Sequence, residues 1–478
     1  MSSMKNFKPL YWRSLAELEN TPEFCEFVER EFAAPLEHAP PNSPERRRFL
    51  ELMGASLALA GVSGCWQEDK LVPLTRRPEG VTPGVPRRFA TAMDLGGRAI
   101  GLHVTSYDGR PIKVDGNPNH PDSLGACFAY QQASVLEVYD PDRSRTVLRQ
   151  GKPSSWAAFE AFAGPQFAAL RAKGGAGLAV LSERSSSPTL AALRARLLEA
   201  FPQATWTTYE PLASDGGRGG SVLAFGAPHR THLSIERARV IVSLDADFLA
   251  PTFPGSLANA RAFARSHVPE AETMSRLYVA ESGYSLTGGH ADHRLAVRSE
   301  LIKAVAAYLD AELSAKLNPP AAAGPAQPKP NAAVLAEPGV QKFLDAIVRD
   351  LLANVGASLL VSGDEQPAEV HALVHRLNNL LGNVGRTVRY TLETEVAPVS
   401  DVSALSTLTG ALGQIDTLLI LGGNPAYSAP ADIPLVQGLS GVKNSIHLSL
   451  FVDETSSRCS WHLPAAHFLE SWGDARAW

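Results

Sequence analysis

The sequence predicts an α/β protein with mostly parallel sheets, helices on both faces, and a small N-terminal β-rich unit. Two patterns carry that prediction. From about residue 151 the chain alternates short apolar runs with helical stretches. The runs are Gly177 to Leu181, Ala204 to Tyr209, Arg239 to Leu244, Leu277 to Ala280, Ser358 to Ser362, Thr417 to Leu421 and Ile446 to Val452, and Pro188 to Ala200 is an amphipathic helical stretch. Continuous short apolar runs are strands buried on both faces, and their alternation with helices builds parallel sheets. Upstream, Gly101 to Tyr107 and Pro111 to Val114 flank Asp108-Gly109, a hairpin turn signal. At 478 residues the chain exceeds one comfortable core and implies two or three lobes.

In chain order, residues 1–40 predict an amphipathic helical segment. Thr21 is its N-cap, Pro22 takes the first helical position, and Phe24, Phe27, Val28 and Phe32 share one face. Such a face packs on something, for example another subunit. Residues 41–65 form an export-like signal. Arg46-Arg47-Arg48-Phe49-Leu50 precedes an uncharged apolar run, Leu52 to Gly64, and then Cys65. The run is shorter than the about 20 residues that a bilayer span needs. Paired Arg46 and Arg47 followed by Phe49 and Leu50 point to twin-arginine export. Val62-Ser63-Gly64-Cys65 matches a lipoprotein processing site, which makes Cys65 a lipidation candidate. The alternative is a buried Ala/Leu helix with a basic start.

Residues 66–150 read as a small β-rich entry domain and 151–317 as a first α/β lobe. Residues 318–333 are a Pro/Ala-rich linker, and 334–478 are a second α/β lobe. That second lobe is expected to be truncated, since Trp461 to Trp478 carries no stop signal.

A net charge of −5, with no basic stripe interleaved with aromatics, argues against nucleic-acid binding. Cys25, Cys65, Cys127 and Cys459 are far apart and form no C-x-x-C pair, which excludes a zinc or iron–sulfur ligand set read from this chain. Three histidine pairs have ligand-like spacing: His229 with His232, His290 with His293, and His371 with His375. The last pair suits a zinc helix, but Ala372 stands where H-E-x-x-H has its glutamate. Each pair reads as a hydrogen-bonded structural element ahead of a metal site. Asp245 and Asp247, at a strand end, are either acid–base partners or caps of the next loop. Gly216 to Gly220 lacks the Lys-Ser/Thr ending of a phosphate loop and reads as a flexible turn. No G-x-S-x-G elbow supports a hydrolase.

Several segments, in order, resemble the molybdopterin oxidoreductase superfamily. They are Lys113 to Pro121 (KVDGNPNHP), Gln132-Ala133-Ser134, Tyr139 to Arg143 (YDPDR), Leu421 to Pro425 (LGGNP), His462 to His467 (HLPAAH) and Glu470 to Asp474 (ESWGD). Tyr11 to Leu15, the displaced export signal, Val240 to Ala250 and Ala291 to Leu295 narrow the resemblance to the large iron–sulfur subunit of alternative complex III, a bacterial membrane quinol:electron acceptor oxidoreductase. The resemblance implies partners: cytochrome c-type and quinol-binding membrane subunits on the periplasmic side of the inner membrane. It also implies iron–sulfur clusters in a ferredoxin-like part expected beyond residue 478.

Catalytic members of the superfamily carry an N-terminal cysteine set, of which Cys127 falls near the last position while the others are absent. Where those members show Asp-Pro-Arg, this chain has Ala280-Glu281-Ser282; where they show Arg-Pro-Gly-Thr-Asp, it has Arg298-Ser299-Glu300-Leu301-Ile302. Residues 1–478 are therefore expected to hold no pterin, molybdenum or cluster and no catalytic or metal-ligating residue. Asn424, Arg298 and Glu281 are expected to mark a remnant pterin cleft, with Glu281 repelling a diphosphate. The alternative is an active exported molybdopterin oxidoreductase.

Overall fold

The computed structural model describes residues 82–212, 215–269, 274–317, 339–393 and 400–478, together with Thr21, Pro22 and Phe24. Arg46, Arg47, Phe49, Leu50, Cys65 and the 318–333 linker lie outside the described residues, as does most of the 1–40 segment. At Thr21 the geometry is that of an N-cap: the Phe24 amide donates to Thr21 Oγ1 at 3.4 Å. Contacts divide the chain into Met1–Glu79 and Gly80–Trp478. The larger unit is described below.

Its first element is an antiparallel meander of Arg87–Leu95, Arg98–Tyr107 and Arg110–Gly116. The turn at Asp108-Gly109 has φ values of 48° and 86°, the double left-handed conformation that a two-residue hairpin requires. Alternate side chains Leu102, Val104 and Val114 bury one face against Val135 of the helix Ala129–Tyr139.

Two larger sheets follow. A seven-stranded sheet runs in the spatial order Lys152–Pro153, Leu148–Arg149, Trp461–Pro464, Asn444–Ser449, Thr417–Leu421, Leu178–Ser182 and Thr205–Thr208. It is parallel except at the edge formed by the first two strands. A fully parallel four-stranded sheet runs His293–Ala296, Arg276–Glu281, Val240–Leu244 and Ser358–Ser362. All five residues of Leu178–Ser182, Val240–Leu244 and Ser358–Ser362 are buried, as continuous apolar runs require. The predicted helix forms over Pro188–Ala200, with Ser187 Oγ accepting from the Leu190 amide. The predicted α/β class with mostly parallel sheets is the observed one.

The lobes are not divided at 318–333. Leu178–Ser182 pairs in parallel with Thr417–Leu421, and Ser358–Ser362 pairs in parallel with Val240–Leu244. Each sheet thus takes strands from both sides of the expected boundary, and the division into 151–317 and 334–478 is corrected. The four-stranded lobe is an insertion within the seven-stranded one. Apolar periodicity tells which faces a strand buries, not which strand lies beside it.

Gly216 to Gly220 is also corrected: it forms part of the helix Asp215–Phe225. Helix propensity disfavours this, since each glycine costs about 1 kcal/mol relative to alanine. Close packing overrides it. A Cβ on Gly220 would lie 2.3 Å from His371 Cβ and 2.7 Å from the Ala368 carbonyl oxygen, so only glycine lets this helix meet the helix Ala368–Leu380 at backbone distance. Gly220→Ala is expected to destabilise the fold by about 1–3 kcal/mol through overpacking. Gly164→Ala, in a helix where the added methyl meets nothing within 4 Å, is expected to stabilise it by about 0.5–1 kcal/mol. Denaturant unfolding of the two variants checks the contrast.

Candidate functional site

In parallel sheets, ligands bind beyond the carboxyl ends of the strands. At the ends of Leu178–Ser182 and Thr417–Leu421 the chain turns through Gly422 and Gly423, with φ of 71° and 65°. Glu183 sits on that turn. A Cβ on Gly422 would lie 2.3 Å from its carboxylate, and the Gly423 amide donates to it. A phosphate would seek the same amide. Burial pushes the Glu183 carboxyl up to about 7, helped by nearby Glu210 and Asp94. Burial likewise raises Glu210 and Asp94. Asp94 accepts from Ser185 Oγ at 2.6 Å, and Arg184 is paired with buried Asp401. Asn424, at the same turn, is committed to the loop that follows. Its Oδ1 accepts from Thr455 Oγ1 at 2.8 Å, and its Nδ2 donates to Glu454 at 2.6 Å.

The second crevice lies at the ends of Val240–Leu244, Arg276–Glu281 and Ser358–Ser362. It is lined by Asp245, Asp247, Glu281, Asp364 and Glu365. Asp245, at φ 58°, accepts from the Ser282 amide at 3.0 Å and from Gln366 Nε2 at 2.8 Å. Asp247 accepts from the amide and hydroxyl of Thr287 at 2.9 and 2.7 Å, capping the turn Leu286–Gly289. Both aspartates are caps, in the way the second sequence reading has them. Glu281 is 2% exposed, ion-paired with Arg294 and hydrogen-bonded to Ser285 Oγ at 2.5 Å. Arg298 is exposed and pairs with Glu300 at 2.7 Å. Asn424 and Glu281 therefore belong to different crevices on different sheets, and Arg298 lines neither. The single remnant cleft expected from these three residues is not formed.

A buried relay runs beneath the glycine turn. His447 Nε2 lies 3.0 Å from the Gly423 carbonyl, which only accepts, so Nε2 donates and Nδ1 is left to accept. Ser456 Oγ, at 2.8 Å, donates to that Nδ1 and accepts from His462 Nδ1 at 2.9 Å. His462 Nε2 then accepts from Ser144 Oγ at 2.6 Å. Burial keeps both imidazoles below their usual pKa, consistent with neutral rings. The chain fixes the turn and presents no activated nucleophile.

His229 Nδ1 meets the Ala227 carbonyl at 2.8 Å, His232 Nε2 meets Thr391 Oγ1 at 2.7 Å, and His293 stacks on Tyr278 with ring centroids 4.8 Å apart. His371 and His375 are buried on one helix face. Among the described residues no cluster of three or more His, Cys, Asp or Glu could hold a metal. Cys127 and Cys459 are free thiols, and burial raises both, Cys459 to about 12. Among the described residues no helix is long and apolar enough to cross a membrane. Sequence reasoning missed Glu183 and Glu210, although Glu183 lies two residues past a predicted strand, Gly177 to Leu181.

No family model matches the chain. It is 25% identical over 477 residues to the menaquinone reductase molybdopterin-binding-like subunit of Nitratidesulfovibrio vulgaris, covering 90% of this chain and 66% of that one. It is 30% identical over 117 residues to the arsenate respiratory reductase molybdopterin-containing subunit ArrA of a Shewanella species, covering 23% of this chain and 13% of that one. Acetylene hydratase from Pelobacter acetylenicus shares the fold, with a TM-score of 0.55 at 13% identity over 78% of this chain and 62% of that one. The chain thus spans no more than about two thirds of these relatives. It is similar in sequence to molybdopterin-binding-like and molybdopterin-containing subunits and similar in fold to acetylene hydratase.

The residues at the two crevices do not fit a dinucleotide pyrophosphate, since the carboxylates of Asp94, Glu183 and Glu210 line one and those of Asp245, Asp247 and Glu281 the other. A carboxyl raised from 4.5 to about 7 by folding leaves stability whole below about pH 4.5 and lowers it as pH rises to about 7. Glu183→Gln is therefore expected to match the parent near pH 4.5 and to be the more stable form above pH 7, by about 1 kcal/mol once solvent screening of this exposed side chain is allowed for. Thermal unfolding across that pH range reads the difference.

Proposed function

We propose that this chain is a subunit of a membrane respiratory quinol:electron acceptor oxidoreductase of the alternative complex III type. In this reading it is a pterin-free scaffold. It presents docking surface to cytochrome c-type and quinol-binding membrane subunits, and electrons pass through iron–sulfur clusters outside residues 1–478. Twin-arginine export through Arg46 and Arg47 delivers it to the periplasmic side of the inner membrane, where Cys65 is a candidate lipid anchor. The observation that carries the scaffold role is the seat of Glu183 on the Gly422-Gly423 turn, where an anionic nucleotide would otherwise bind. Similarity to a subunit of menaquinone reductase supports a place in a respiratory assembly.

A second reading, an active exported molybdopterin oxidoreductase, is favoured by the similarity to a subunit named as molybdopterin-containing. Isolation of the tagged protein from solubilised membranes of its own host separates the two. The scaffold reading expects co-isolation of c-type haem and a multi-subunit quinol oxidase or reductase activity. Recovery as a lone, soluble chain that turns over substrate by itself would refute it.

A further inference from the structure

A cavity of about 90 Å³ lies between the helix Ala368–Leu380, the strand pair His229–Leu233 and Val388–Leu392, and the turn at Gly96–Arg98. A cavity of about 150 Å³ takes a benzene, so this one suits about four or five heavy atoms. Several buried side-chain atoms on its lining residues have no hydrogen-bond partner, among them His371 Nε2, His375 Nδ1 and Ser362 Oγ. These three residues are 6, 6 and 7% exposed. Leaving such atoms unpaired costs about 1–3 kcal/mol each, so an occupant is called for.

The lining says what kind. Four guanidinium groups, Arg98, Arg184, Arg218 and Arg230, outnumber the carboxylates Asp364 and Glu393; Arg184 pairs with Asp401 and Arg218 with Glu393, while Arg98 is stacked on Trp478 at 5.3 Å. Burial holds His371 near 4 and His375 near 3, so both rings are neutral. A neutral imidazole keeps one nitrogen as a bare lone pair, and the unpartnered Nε2 is the one an occupant can meet. An anion without a proton would meet that lone pair and the carboxylate of Asp364, which lines the same space. An anion that carries an O–H can donate to them.

We propose that this cavity binds a small protic oxyanion of the hydrogen phosphate class, its charged oxygens toward Arg98 and Arg184 and its O–H donated to His371 Nε2. The site is independent of the scaffold role and uses none of the strand-end carboxylates that close the crevices, apart from Asp364 at its margin.

Titration calorimetry of the full chain with inorganic phosphate, sulfate and glycerol 3-phosphate tests this. Phosphate should bind saturably, and sulfate about tenfold or more weakly because it has no proton to donate. Glycerol 3-phosphate should also bind about tenfold more weakly, since the cavity admits the free ion alone. Ser362→Ala and His371→Phe should each lower phosphate affinity about fivefold or more with unchanged circular dichroism. Should His371→Phe fail to fold, Ser362→Ala decides. Equal binding of sulfate, equal binding of the ester, no saturable phosphate binding, or full affinity in Ser362→Ala would each overturn the proposal.

Discussion

The parallel pairing of Leu178–Ser182 with Thr417–Leu421 is the contact on which the rest depends. It sets Ser182 beside Leu421, so the next residues, Glu183 and Gly422, meet at the strand ends. The same pairing closes a loop of chain that holds the entire four-stranded lobe, from His229–Leu233 to Val388–Leu392. Closing so long a loop costs entropy that grows only slowly with length, and burial of both strands outweighs it. One register thus fixes the architecture and also places the carboxylate that fills the glycine turn.

Electrostatics then separates two kinds of space. The strand-end crevices are lined by Asp94, Glu183 and Glu210 on one sheet and by Asp245, Asp247 and Glu281 on the other. Glu281 is ion-paired with Arg294, and desolvation at the strand ends raises the Glu183 carboxyl. The cavity beside His371 adds guanidinium groups and neutral imidazoles to its two carboxylates, Asp364 and Glu393.

Much of the fold is legible in the sequence, because buried strands are continuous apolar runs and Asp108-Gly109 admits one tight turn. Strand partners are not legible, since periodicity carries no information about neighbours across more than two hundred residues. The helix over Gly216 to Gly220 is hidden for another reason: its stability comes from backbone contact with the helix bearing His371, which no local propensity records. At the site, the capping roles of Asp245 and Asp247 follow from their strand-end positions. The grouping of Asn424, Arg298 and Glu281 does not survive, because motif order in a family says nothing about which sheet edge each residue occupies here. Glu183 carries no motif; only its place after a strand, opposite a glycine turn, gives it meaning.

The central claim is that this frame works without a pterin. Its most direct test is the molybdenum and tungsten content of the protein purified from its host membranes, measured together with the fluorescence of oxidised pterin released from it. The account predicts neither metal above trace and no pterin signal. One metal atom per chain, accompanied by pterin, would contradict it.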